Sequence, residues 1–181
     1  MAKNVKVILG SVRTNRAGKA VADYVMSQLG SYSGELEFDF IDLKDVNLPF
    51  MDEPVPPMMA DGYTEDHTKA WSKTIAEADG FILVTPEYNH GYSPVLKNAL
   101  DYLMKEWSEK PVGFVGYGGN GAELAIDQLK PVVEFLGMKP VSSQIGVNTI
   151  WEAIDEKGQL KADYVKGDVN KLAAEIESNI K

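Results

Sequence analysis

Short apolar runs alternate with amphipathic stretches from one end of the chain to the other, the pattern of βαβ units built on a parallel sheet. Val5 to Leu9 reads as the first strand. It stops at Gly10-Ser11, and Ala17, Ala20, Val21, Tyr24, Val25 and Leu29 then recur at helical spacing, predicting a helix from about residue 16 to 29. Glu35 to Leu43 alternates, with Leu36, Phe38 and Phe40 set against Glu37 and Asp39, and reads as a second strand. Residues 44 to 65 carry Pro49, Pro54, Pro56 and Pro57 and read as loop, before a helix from His67 to Ala78. Gly80 to Thr85 runs unbroken through Phe81, Ile82, Leu83 and Val84, which places it at the centre of the sheet.

From Pro94, the positions Val95, Leu96, Ala99, Leu100, Leu103 and Trp107 predict a helix to about residue 107. Pro111 to Tyr117 reads as a fourth strand and Gly118-Gly119-Asn120-Gly121 as a glycine loop. Ala125, Ile126, Leu129, Val132, Val133 and Leu136 then mark another core-facing helix, which Pro131 should kink or break. Residues 139 to 147 supply a fifth strand, and Lys161 to Ile180 a closing helix. No internal repeat, coiled coil or low-complexity tract interrupts this order. Residues 1–181 therefore read as one domain, an open, doubly wound α/β sheet of five strands, and the length agrees with that.

Composition narrows the chemistry. Lys and Arg total 18 against 27 Asp and Glu, a net charge of −9 that leaves no electrostatic footprint for coating nucleic acid. There is no cysteine, so disulfides, iron–sulfur clusters and thiol nucleophiles are excluded. His67 and His90 are the only histidines, too few for a multi-histidine metal site. The first apolar run, broken by Lys6 and ended by Gly10, is too short for a signal-peptide core or a membrane span, so a cytoplasmic location is expected.

In a doubly wound sheet, ligands settle at the carboxyl ends of the strands where the winding reverses. Three loops qualify. The first, Gly10 to Arg16, joins a strand to a helix, so free backbone N–H groups and the positive helix end make it an anion site. Ser11 and Asn15 add hydrogen-bonding groups, and Arg13 and Arg16 add permanently charged donors. The bland alternative is a capped helix with two solvated arginines. The Gly10 to Arg16 loop is neither a G-x-x-x-x-G-K-[ST] P-loop nor a G-x-G-x-x-G fingerprint, so a monophosphate fits it better than a nucleoside triphosphate or a dinucleotide. The second loop, Pro86-Glu87-Tyr88-Asn89-His90-Gly91-Tyr92, leaves the most buried strand and offers a resting place for a flat heteroaromatic ring; otherwise it is a turn whose tyrosines cover the core. The third, Tyr117 to Gly121, lets the backbone approach a ligand closely.

Gly10-Ser11-x-Arg13, Pro86-Glu87-Tyr88-Asn89, Pro94-x-x-Leu96-Lys97-Asn98-Ala99-x-Asp101 and the Gly118-Gly119 loop together resemble the NADPH-dependent FMN reductase family over about residues 3 to 145. That resemblance implies a flavodoxin-like fold with strand order 2-1-3-4-5. It also implies non-covalent FMN, and NADPH or NADH as electron donor. The acceptor would be a small molecule such as a quinone, azo dye, chromate, ferric species or free flavin. The implied reaction is ping-pong, with hydride passing to the flavin before the acceptor binds. Carried over, the phosphate lies on Ser11, Arg13, Asn15, Arg16 and Ala17, the isoalloxazine edge on Pro86, Glu87, Tyr88 and Asn89, and the ring's other side on Tyr117, Gly118 and Gly119. A homodimer or homotetramer with FMN near a dimer interface is implied too, with no membrane or nucleic-acid partner.

Because a flavin carries the chemistry, no general acid or base is assigned. His90 reads as a solvated turn residue, Glu87 as a backbone contact, and Lys97 with Asp101 as a helix-surface pair. Trp107 and Trp151 read as packing residues. Met51, Met58 and Met59 line either a substrate mouth, an oligomer interface or a loop over the core. Two other functions stay open on the residues: a flavodoxin-type electron carrier, and an interaction protein that senses redox state through its flavin.

Overall fold

The computed structural model describes residues 3–181. Strands β1 (Lys3–Leu9), β2 (Leu36–Asp42), β3 (Gly80–Pro86), β4 (Pro111–Tyr117), β5 (Lys139–Val147) and β6 (Val165–Lys166) form one sheet in the order β2-β1-β3-β4-β5-β6. The first five pair in parallel and β6 adds an antiparallel edge. The expected order 2-1-3-4-5 is thus present, but the sheet has six strands rather than five. Two residues, pairing with Gly146 and Val147, are too short a strand to show as a pattern in sequence.

Helices α1 (Gly18–Leu29), α2 (Leu43–Val46), α3 (Asp66–Ala76), α4 (Pro94–Asp101), α5 (Glu123–Phe135), α6 (Ile150–Ala153) and α7 (Val169–Asn179) connect the strands. Alternate side chains of the central strands feed two cores. Phe81, Leu83 and Phe114 pack with Trp71, Leu100, Trp107 and Ile126 on one face. Ile82, Val84 and Val115 pack with Val21, Val25, Leu172 and Ile176 on the other. Helices cover both faces, so β3 and β4 are buried along their whole length, as uninterrupted apolar strands of a parallel sheet should be. No helix among the described residues is long and apolar enough to cross a membrane.

Three helices depart from expectation. The helix predicted to residue 107 ends at Asp101, because the Leu100 carbonyl accepts from the Trp107 indole N–H (3.1 Å) and from Leu103 N (3.3 Å). Trp107 is therefore buried by a chain that turns back, not by a continuing helix. The closing helix begins at Val169, where Asp168 caps it by accepting from Asn170 N and Lys171 N. Residues 162–164 form a short 3₁₀ turn that leads into β6. Finally, α5 runs through Pro131 without a break; that residue lies in its last turns on the exposed side.

Candidate active site

Strand order reverses between β1 and β3, so the carboxyl ends of β1, β3 and β4 open beside one another. Backbone bonds fasten the three loops together there. Gly10 N donates to Val84 O (2.8 Å), Glu87 N to Tyr117 O (3.1 Å) and Gly118 N to Val147 O (3.1 Å).

The β1–α1 loop is anchored at its end and open along its length. Arg16 makes a two-pronged pair with Asp42 at the end of β2, Nη1 reaching Oδ1 at 2.7 Å and Nη2 donating to Oδ2, while Nη1 also donates to the Ser11 carbonyl. Both side chains are almost buried, at 11% and 7% exposure. Arg16 was expected among the phosphate donors; its guanidinium instead ties the loop's two ends to the neighbouring strand. Asp42, which also caps α2 through Lys44 N, lies 26 residues away in sequence, and no local signal marks it as the partner. Arg13, by contrast, is exposed and makes no ion pair among the described residues. Asn15 is exposed and Ala17 takes the N-cap position of α1, which has no side-chain cap and no acidic residue in its first turn. Among the described residues, none of the backbone N–H groups from Ser11 to Ala17 makes a short, well-aligned bond to a backbone carbonyl, although Thr14 and Asn15 form a turn. Such a helix end presents donors and partial positive charge to the space in front of it.

The β3–α4 loop is held rigidly. Tyr88 and Gly91 exchange both backbone hydrogen bonds (2.8 and 3.0 Å), which closes a two-residue turn with Asn89 at φ 50° and His90 at φ 68°. Two successive non-glycine residues in the left-handed region are uncommon, although Asn and His tolerate it better than most. Gln128 of α5 clamps the turn by donating to the His90 carbonyl (2.9 Å). The Glu87 carboxylate accepts from Ala125 N (3.1 Å) at the start of α5, where negative charge is favourable. Glu87 is thus a strap between loops, in keeping with a backbone contact.

Tyr117 turns its side chain inward. It was expected, with Gly118 and Gly119, along the flavin ring's remaining side; its side chain packs among the α1-side core residues and is 5% exposed. A Cβ on Gly18 would lie 2.2 Å from the Tyr117 hydroxyl, so glycine is required where the phenol passes beneath the first residue of α1. Among the described residues no group bonds the hydroxyl in good geometry, although the Ser11 side chain is close enough to act on it. Burial pushes its pKa up, with Ser11 and the Arg16 and Arg13 charges opposing the rise, so it stays a protonated donor. Ser11 is itself buried, with Oγ 3.4 Å from the Tyr88 hydroxyl.

Gly118 lies against Glu87, and Gly119 is exposed. Trp151, expected to be a packing residue, is 71% exposed, and its indole edge lies 3.6 Å from where a Cβ on Gly119 would stand. Ile150 N donates to Gly118 O (3.0 Å), which brings the short helix α6 to this loop. A surface tryptophan on a four-residue helix carries no periodicity that could have placed it. On the other side of the first loop, a cleft of about 360 Å³ opens between Val12, Leu43 and Asn47 and the α4 residues Val95 and Asn98.

Known proteins match this arrangement. The family described as NADPH-dependent FMN reductase matches residues 4–152. An NAD(P)H-dependent FMN reductase of Schizosaccharomyces pombe is 46% identical over 136 residues, covering 75% of this chain and 68% of that protein. A 2-hydroxy-1,4-benzoquinone reductase of a Burkholderia species is 32% identical, with 96% of each chain covered. Among solved structures, FerB, a flavoenzyme NAD(P)H:acceptor oxidoreductase of Paracoccus denitrificans, superposes with a TM-score of 0.73 at 23% identity, covering 99% of this chain and 100% of its own, a likeness of fold. Since the matched stretch takes in all three loops at the sheet's carboxyl edge, the chain belongs to the NADPH-dependent FMN reductase family.

Proposed function

We propose that this protein is an NAD(P)H-dependent FMN oxidoreductase that passes electrons to a small-molecule acceptor of the quinone type. The observation that carries this reading is the convergence, at one end of the sheet, of an uncapped helix start, an unpaired Arg13 and a buried hydroxyl without a partner. These groups suit the phosphate of a mononucleotide, and the loops beyond them suit its ring, so FMN fits the residues present. Bound FMN supplies the hydride-accepting and hydride-donating chemistry that no side chain here provides.

The chain's own residues bind and orient. Ser11, Arg13, Asn15 and the Ala17 backbone face the phosphate, while Arg16 and Asp42 keep the loop in shape. Pro86 to Asn89 lie along the ring edge, fixed by the tight turn and by Glu87 and Gln128, and Gly118 and Gly119 admit the ring's other side. The Asn89 and Gly119 N–H groups, which donate to no backbone carbonyl among the described residues, would stabilise negative charge on a reduced ring. Asn89, His90, Gly119 and Trp151 are exposed, so the ring side is open on this chain. Nicotinamide and acceptor can therefore use one face in turn. A second copy of the chain would roof that face, and we assign a homodimer or homotetramer. A cytoplasmic location, where NADH and NADPH are replenished, suits this chemistry.

A rapid-mixing experiment tests the reading. FMN-loaded protein should bleach on mixing with NADH or NADPH and recover its colour when a benzoquinone follows. Slow bleaching with free exchange of electrons to another redox protein would favour a flavodoxin-type carrier.

A further inference from the structure

We propose that the Tyr117 hydroxyl donates a hydrogen bond to the FMN phosphate from beneath the α1 N-terminus, making this residue part of the grip on the cofactor's anionic tail. The inference rests on the FMN reading above and moves Tyr117 from the ring to the opposite end of the cofactor.

Three observations carry it. First, the hydroxyl is buried without a partner, and a buried donor left unsatisfied is unfavourable and therefore rare. The other unpartnered buried oxygens among the described residues are Asn4 Oδ1 and Thr68 Oγ1, and neither lies at the carboxyl ends of the strands. Second, the hydroxyl reaches the first residue of α1, because a Cβ on Gly18 would lie 2.2 Å from it and 2.8 Å from the adjoining ring carbon. It therefore stands where the helix presents uncapped N–H groups. Third, besides Tyr88 and the Asp42-paired Arg16, the groups that act on it are Ser11 and the exposed Arg13, a donor and a positive charge suited to an anion. Burial keeps the phenol protonated, so it can donate to phosphate and cannot compete as an anion.

Tyr117→Phe removes the oxygen and keeps the ring. Affinities of wild type and variant for FMN and for riboflavin, which lacks the phosphate, should be measured by quenching of flavin fluorescence on the flavin-free protein. A hydrogen bond to a charged group implies that FMN affinity falls about tenfold or more, with riboflavin affinity unchanged. The flavin-free variant should melt no lower than wild type, since it loses a hydroxyl with no protein partner, and the ³¹P signal of bound FMN should shift. Equal weakening for both flavins, no weakening for FMN, or a lower melting point of the flavin-free variant would each overturn the assignment. Wild type that fails to prefer FMN over riboflavin would overturn the phosphate site itself, a result separable from failure of Tyr117 alone.

Discussion

Asp42→Ala probes the lock that shapes the β1–α1 loop. The substitution leaves the Arg16 guanidinium, 11% exposed, with only the Ser11 carbonyl for company, and it uncaps α2 at Lys44 N. Removing one partner of a buried pair costs about 3–5 kcal/mol, and losing a helix cap about 1 kcal/mol. Both losses come from one carboxylate and are not independent, so about 4 kcal/mol is the expected total. At roughly 2–4 °C per kcal/mol for a chain of this size, Tm should fall by about 8–16 °C. Lys19→Ala is the control. Its pair with Asp23 spans one helical turn at 48% and 59% exposure, and its loss should cost about 0.5 kcal/mol or less. Urea unfolding in low and high salt separates the two further, because screening weakens the exposed pair far more than the buried one. The Arg16→Ala/Asp42→Ala double variant should be much less damaged than the sum of the singles. An Asp42→Ala protein as stable as Lys19→Ala, or additive singles, would refute the lock.

Other outcomes follow from the same geometry. Arg13→Ala should weaken FMN binding by about tenfold or more, and since Arg13 is exposed, the wild-type advantage should shrink as salt rises in a fluorescence titration. Glu175 accepts from Ser143 Oγ, Ser143 N and Ser142 Oγ, bonds that hold its carboxyl at about 2 against an ordinary 4.5. The folded-state value is the lower one, so this contribution is complete above pH 4.5 and disappears as pH falls toward 2. Urea midpoints of wild type and Glu175→Gln should differ by a constant amount near neutrality and converge across that window; a pH-independent gap contradicts it. Phe50, Met58, Met59 and Phe135 are 62–86% exposed, and an apolar groove of about 480 Å³ lies between Met58 and Phe135. If the proposed homodimer or homotetramer assembles through this face, Met58→Glu and Phe135→Glu should shift it toward monomer in sedimentation velocity, and an unchanged distribution contradicts that use of the face.

What could be read from the chain without its structure divides along physical lines. The parallel strands were legible because burial on both faces leaves uninterrupted apolar runs, and Phe81 to Val84 is such a run. The three ligand loops followed from where those runs stop. Contacts between distant residues were not legible. Arg16 carries the same charge whether it faces a phosphate or Asp42, and only the pairing of β1 with β2 brings that carboxylate near. Tyr117 ends a strand as predicted, but nothing in the local spacing shows that its hydroxyl lies beneath α1. Trp107 continues the spacing of a helix that its own indole, bonded to the Leu100 carbonyl, helps to end at Asp101.

The central claim is that the helix start beside Arg13 and Tyr117 holds a mononucleotide. Equilibrium titration of the flavin-free protein with FMN tests it most directly. Saturable binding of one FMN per chain, displaced by excess inorganic phosphate more readily for FMN than for riboflavin, is the predicted result. Absence of saturable FMN binding by the folded protein, or identical affinity for the two flavins, would contradict it.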